Sequence, residues 1–287
     1  MSEKKVWFIT GTSSGLGRAL AEEVLAKGDR VVATARKPEV LQELVEKYPE
    51  TARAIKLDVT NLEEVKSAIR ESVKEFGRID VLVNNAGYGL VGALEEASDA
   101  QIRQQFDTNV FGVLNVVREA LPILRAQKSG HIVNIGSMVG FTALPSFGYY
   151  SATKFALEGL SEALAAEVAP LGIKTTIVEP GAFNTGYSSR GALVYGENRL
   201  PDVYPSTEEM TKGFSHVDSK AVGDPVKAVK VIIEAIESEN PPFRLPLGAD
   251  AYEAIEAKFE LIKQEIALWR ERATKTFFDT DFRTKTT

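Results

Sequence analysis

Seven short apolar runs, separated by segments of helical period, constrain this chain more than any other feature. The runs are KKVWFIT (4–10), RVVATA (30–35), ARAIKLDV (52–59), IDVLVN (79–84), HIVNIG (131–136), KTTIVE (174–179) and FRLPL (243–247). Rich in Val and Ile and apolar on both faces, they suit buried parallel strands. Between the first two, Leu16, Leu20 and Val24 recur at helical spacing, with Ala19 beside them. Segments 61–76, 99–127, 150–169 and 225–238 carry the same kind of stripe. This alternation predicts an α/β fold: a doubly wound parallel sheet of about seven strands with helices on both faces.

A chain of 287 residues fits one domain, 1–287, better than two small ones. No internal repeat, low-complexity tract or linker interrupts it. Two regions break the rhythm. Residues 182–224, rich in Gly, Ser, Tyr and Pro, join a strand to the next helix; they are either a surface loop or, as their length favours, a substrate lid. A helix of mixed charged and apolar residues is expected over 249–275, ahead of a frayed tail.

Composition removes several classes of function. The net charge of −6 gives neither nucleic acid nor an anionic membrane a basic footprint. The absence of cysteine excludes disulfides, thiolate chemistry and Cys-ligated zinc. With two histidines, His131 and His216, a His-rich metal site is excluded too, and no metal is expected. VWFIT is too short for a secretory signal, and no stretch approaches the roughly 18 apolar residues of a membrane span. The expected address is the cytoplasm.

The chemistry sits at the ends of the runs. TGTSSGLG, Thr10 to Gly17, follows the first strand, and Gly11, Gly15 and Gly17 let a pyrophosphate approach main-chain N–H groups at a helix start. After the second strand comes TARKP. An acidic residue here would bond the adenosine ribose and repel a 2′-phosphate. Ala35 and Arg36 stand there instead, so NADP is expected over NAD, with Thr12, Ser13 or Lys37 as other readers of that phosphate. Asp58 and Val59 are placed for the adenine, although DVTN is also an ordinary helix-capping sequence. NNAG ends the fourth run, where Gly87 would admit the cofactor and Asn84 and Asn85 would tie neighbouring loops. Gly136-Ser137 ends the fifth, where ligands bind in open α/β sheets.

Tyr150 and Lys154 stand four residues apart, one turn along a common helix face. An ammonium beside a phenol favours the phenolate, so Lys154 would draw the Tyr150 pKa toward working pH. Such a phenol can exchange a proton with a carbonyl or alcohol oxygen. Tyr149 has only Thr153 at the same offset. The pair alone is weak, since chance gives about 0.5 such pairs per chain of this composition. Its company is what counts.

TGTSSGLG, NNAG, Asn109 within FDTNVFG, Ser137, YSATK and PGAFNT occur in order, and together they resemble the short-chain dehydrogenase/reductase family in its compact branch. The resemblance is dense over residues 4–185 and loose beyond. It implies a Rossmann-like fold and a set of roles. Tyr150 would be the acid/base; Lys154 would bind the nicotinamide ribose and hold Tyr150 reactive. Ser137 would orient the substrate oxygen, and Asn109 would hold a water in a proton relay through Lys154. Gly11, Thr12, Ser13, Ser14, Gly15, Leu16 and Gly17 would form the phosphate turn, and Asn85, Ala86 and Gly87 would border the cofactor. Pro180 and Gly181 would shape the nicotinamide pocket, with Phe183 and Thr185 near the carboxamide. Ser14 departs from members that place a basic residue there, leaving Arg36 to carry NADP preference. The extension past the last strand, absent from many short members, favours a homodimer or monomer over a tetramer.

Met138, Val139, Phe141 and Leu144, with Phe183, Tyr187, Leu193, Val194 and Tyr195 in the lid, suggest a hydrophobic ketone, aldehyde or alcohol as substrate. Arg190 and Arg199 are either anion-recognising or ordinary surface arginines. The leading reading is an NADP-dependent carbonyl reductase or alcohol dehydrogenase. A cofactor-binding sensor without turnover and a sugar-nucleotide epimerase are the alternatives, the last set aside by chain length and glycine spacing. His131, at the start of its strand, is expected to be structural.

Overall fold

Alternation along the first strand sets the layering: Trp7 and Ile9 enter one apolar cluster and Phe8 the other, on opposite faces of one sheet. The computed structural model describes residues 4–186, 191–214 and 223–277. Its main sheet contains β1 (Val6–Ile9), β2 (Arg30–Ala35), β3 (Ala52–Lys56), β4 (Val81–Asn84), β6 (Gly130–Ile135), β7 (Ile173–Pro180) and β9 (Arg244–Leu247). These seven strands are all parallel and run in the order β3-β2-β1-β4-β6-β7-β9. The chain winds outward in both directions from β1 and β4, which opens a crevice at their carboxyl ends.

Helices cover both faces. On the Trp7 side lie α1 (Gly15–Ala26), α2 (Gln42–Lys47) and α8 (Pro225–Glu237). On the Phe8 side lie α3 (Leu62–Phe76), α5 (Gly112–Gln127) and α6 (Gly148–Val168). Local chemistry sets their starts. The Asn61 carboxamide accepts from Glu63 and Glu64 N–H at the head of α3, and Asp224 accepts from Val226 and Lys227 at the head of α8. The capping part of DVTN is therefore Asn61.

The segment expected as one helix over 99–127 is interrupted. α4 (Asp99–Phe106) passes into a π-helical segment, Asp107–Phe111, before α5 begins. A wide turn of this kind gives Asn109 a facing that a continuous helix would not. The third strand ends at Lys56 rather than Val59, because Asp58 Oδ1 folds back to accept from the N–H and hydroxyl of Thr60. Residues 182–224 hold more than a loop: β8 (Leu193–Tyr195) pairs in parallel with β5 (Gly89–Val91), and α7 (Pro205–Phe214) follows. Such short apolar runs, three residues each, carry no period of their own. Nor did apolar spacing predict the turn at Pro38–Leu41 and α2.

The last helix, α9 (Ala249–Ala273), is seated only at its base. Ala251 and Ile255 are buried and Phe259 stacks edge-on against Phe141 at 5.7 Å, but every described residue from Phe259 onward is exposed.

Candidate active site

The floor of the crevice is knitted from strand ends. Thr10 Oγ1 accepts from the N–H of Asn85 (2.9 Å) and Ala86 (3.0 Å), while Asn85 Nδ2 donates to the carbonyls of Thr10 and Gly11, each at 2.9 Å. The end of β4 is thereby fixed to the turn after β1. Gly11 has φ +70°, and a Cβ there would lie 2.9 Å from Ala86 Cα, so this position requires glycine twice over. Asn84 bonds Asn134 of the next strand (2.8 Å), and Asn134 bonds Ser161 of α6 (2.8 Å).

Gly11, Ser13, Ser14, Gly15 and Leu16 line a cleft of about 600 Å³. Ser14 precedes α1 without a side-chain cap, and the first turn has no acidic residue. The open N–H groups and positive end of α1 thus suit a pyrophosphate, and the donor set fits a dinucleotide. Arg36, Asp58, Val59, Asn85, Ala86 and Gly87 line the same cleft, as do Pro180, Gly181, Phe183 and Thr185 at its far end. Two expected contacts are not on the wall. Thr12 is buried, its hydroxyl donating to the Thr34 carbonyl at 3.1 Å. Gly17 is packed against Asn85 and the Gly11 carbonyl. Both shape the turn from behind.

Across the cleft, α6 begins two residues before Tyr150. The Tyr150 ring packs on Phe147 at 5.3 Å, and the Lys154 ammonium lies 5.6 Å from its centroid. Lys154 is buried and donates to the Ile135 carbonyl at the end of β6 (2.7 Å). Burial lowers its pKa from 10.5 to about 8, against a smaller opposing pull from Glu158. Ser137 lies beside them on the cleft wall, its Oγ accepting from Val139 N–H at 3.3 Å. Asn109 is buried behind the cleft. Its carboxamide accepts from Tyr88 N–H (3.1 Å) and donates to the Tyr88 carbonyl (2.9 Å) and the Thr153 hydroxyl (3.2 Å).

One turn past Lys154, Glu158 faces Glu179 across a buried space, with Arg244 Nε 3.3 Å and 3.9 Å from their carboxylates. Burial raises both carboxyl pKa values, Glu179 to about 8 with the neighbouring Glu158 as the second cause. His131 sits at the opposite end of the sheet, bonded to Thr176 at 2.8 Å and pushed down to about 4, chiefly by burial.

On the substrate side, Met138, Val139, Leu144, Leu193 and Val194 line the cleft as expected. Phe141 does not: it turns away to Phe259 and lies 5.6 Å from the Arg244 guanidinium. Tyr195 is not on the cleft wall either; its main-chain carbonyl accepts from Gln101 Nε2 at 2.8 Å. Tyr187, Arg190 and His216 lie outside the described residues. Arg199 is no loose surface arginine, since it pairs with Glu96 (3.3 Å) and Glu208. Tyr88 and Phe147 line the cleft unforeseen; Tyr88 directly follows NNAG and Phe147 stands three residues before YSATK, which was their only signal. Among the described residues no group of acidic or His side chains could hold a metal ion, and no helix is long and apolar enough to cross a membrane.

The short chain dehydrogenase family model matches residues 5–191. Oxidoreductase BOA17 of Botryotinia fuckeliana is 39% identical over 272 residues, covering 93% of this chain and 97% of that protein. The 3-ketodihydrosphingosine reductase of Bacteroides thetaiotaomicron is 38% identical over 246 residues, covering 86% and 88%. Among solved structures, a short-chain dehydrogenase from Streptomyces avermitilis superposes with a TM-score of 0.90 at 43% identity, covering 96% of this chain and all of that one. Similar structures carry either nicotinamide cofactor. A Burkholderia phymatum protein in complex with NAD gives TM-score 0.79 at 27% identity (93% and 95% covered), and ElxO with NADP bound gives 0.72 at 30% (88% and 100%). With the family model spanning most of its length and relatives aligned nearly end to end, this chain belongs to the short-chain dehydrogenase family of oxidoreductases.

Proposed function

We propose that the protein is an NADP-dependent oxidoreductase that interconverts a hydrophobic ketone or aldehyde and its alcohol, with Tyr150 as the acid/base. The observation that carries this reading is the Lys154 ammonium, buried, anchored on the Ile135 carbonyl and held 5.6 Å from the Tyr150 ring at the cleft. A cation in that place favours the phenolate, so the hydroxyl can give its proton to a carbonyl oxygen or take one from an alcohol. Ser137 Oγ accepts from Val139 N–H, which leaves its own O–H to donate to the same substrate oxygen. Asn109, locked by Tyr88 and Thr153, would present a fixed carboxamide to a relay water. A bound nicotinamide supplies or accepts the hydride; the chain supplies position and the proton path.

NADP preference rests on Arg36, which is exposed at the cleft rim directly after the buried Ala35, where no carboxylate would repel a 2′-phosphate. The apolar wall of Met138, Val139, Leu144, Leu193 and Val194 suits a bulky apolar carbonyl compound. The reductase relative that acts on 3-ketodihydrosphingosine adds long-chain 3-keto compounds to that class. A homodimer is the assembly expected with the α9 extension, and light scattering that returned a tetramer would overturn it.

The deciding experiment follows consumption of NADPH, and separately NADH, with aromatic, aliphatic, cyclic and long-chain 3-keto carbonyl compounds. Turnover of the bulky apolar members with NADPH preferred is the expected result. NADPH binding without turnover of any of them would replace the reading with a cofactor-binding sensor.

A further inference from the structure

Glu96 is 1% exposed and touches neither the cleft nor the cofactor floor, yet four polar contacts converge on it. Its Oε2 accepts from Ala93 N–H (2.7 Å), Oε1 from Leu200 N–H (2.6 Å) and Arg199 Nε (3.3 Å), and its main-chain carbonyl from Asn198 N–H (2.9 Å). Three of the four donors belong to residues 198–200, about one hundred positions along the chain. Arg199 continues the contact to Glu208 of α7. Two glycines make room for this side chain. A Cβ on Gly92 (φ +148°) would lie 2.8 Å from Glu96 Oε2, and one on Gly196 would lie 2.7 Å from the Glu96 carbonyl. The site is therefore built from both strands of the small sheet, one glycine at the end of each.

What Glu96 holds is the substrate wall. β8 ends one residue before Gly196, and its Leu193 is buried with Val91 and Phe147 in a cluster that also takes in Leu144 and Tyr150. Leu193 and Val194 line the cleft. A second tie runs in parallel: Ser146, a buried non-glycine residue at φ +68°, donates to the Thr207 carbonyl of α7 (2.9 Å) four residues before Tyr150. Backbone held in that region costs energy unless its surroundings fix it.

We propose that Glu96 is a positioning residue for the substrate: acting through β8, it sets the apolar wall against the Phe147–Tyr150 cluster and thereby determines how tightly the carbonyl compound is held. This rests on the oxidoreductase reading above. All the side-chain contacts to Glu96 come from donors, so an amide NH2 at either oxygen faces another N–H, and Glu96→Gln should loosen the 196–200 turn. Arg199→Gln removes the half-buried ion pairs to Glu96 and Glu208 but leaves the main-chain donors in place, and Gly196→Ala drives a methyl into the Glu96 carbonyl; both are expected to act in the same direction.

The test measures KM and kcat for the best carbonyl substrate, the NADPH dissociation constant, and amide hydrogen exchange at Gly196, Asn198 and Leu200. The expected result for Glu96→Gln is a KM raised about tenfold, the scale of one donor left facing another, with NADPH affinity within about twofold of wild type and faster exchange at those three amides. Arg199→Gln should show the same pattern, weaker. Unchanged KM and exchange in both variants would overturn the proposal, as would equal loss of NADPH and substrate binding, which would mean that Glu96 merely supports the whole fold. Should the wild-type protein turn over no carbonyl compound, the function reading fails by itself. The exchange rates would still decide whether Glu96 anchors the wall.

Discussion

The cleft has two sides built in different ways. Its cofactor floor is closed by bonds between main chain and short side chains at the ends of adjacent parallel strands: Thr10, Gly11 and Asn85 are fixed as β1 and β4 pair, and Asn84 as β4 and β6 pair. Its substrate wall is attached by side chains reaching across long stretches of chain, Glu96 to 199–200, Gln101 to the Tyr195 carbonyl, Ser146 to Thr207. One side follows from sheet pairing, which the core enforces. The other depends on a few polar contacts that a relative can exchange without disturbing the sheet, so substrate choice can vary while the cofactor site stays put.

The sharpest test lies where the two sides meet. Tyr150→Phe should lower turnover by about 10²–10⁴-fold, the usual range for loss of a general acid or base, while NADPH affinity stays unchanged in a fluorescence titration. Near-normal turnover would remove Tyr150 from the chemistry. Next in size is Gly17→Ala on the floor. The added methyl would lie 2.3 Å from Asn85 Nδ2 and 2.6 Å from the Gly11 carbonyl. Overpacking of this kind costs about 1–3 kcal/mol in denaturant unfolding, and NADPH affinity should drop with it. Retained stability and affinity would show a floor as adaptable as the wall. Arg36→Asp should weaken NADPH by roughly tenfold and favour NADH, a modest effect because the side chain is exposed. An unchanged ratio of the two affinities would move the phosphate contact to Ser13 or Lys37.

The smallest expected effect is on stability. Lys154 has its pKa lowered to about 8 in the folded chain from the ordinary 10.5. Between those values the unfolded chain binds more protons, so this group's cost to stability is full below pH 8 and fades as pH rises toward 10.5. Lys154→Met should therefore raise Tm by a few degrees at pH 7 and lose that advantage by pH 10.5. An equal shift at both pH values in calorimetry would mean that the ammonium is not strained by burial.

Much of this architecture could be read in advance, for a local reason. A buried parallel strand needs an unbroken apolar run, and a turn that bends sharply toward a helix start needs glycine. VWFIT and TGTSSGLG therefore carry their own geometry, and the seven strands and the floor follow from them. Asp58 shows the limit of such reading: its position at the cleft was legible, but its turn with Thr60, which ends β3 early, was not. Arg199 shows it more strongly, since nothing near it in the chain announces Glu96. By itself the sequence determined the sheet, its winding and the place of the Tyr150–Lys154 pair, because period and helical offset are properties of a few consecutive residues. Only the tertiary structure decided that Thr12 and Gly17 stand behind the floor, that Phe141 turns away to Phe259, and that Glu96 holds the wall. Those outcomes depend on which surfaces meet once distant segments have packed, and no short window of sequence contains both partners.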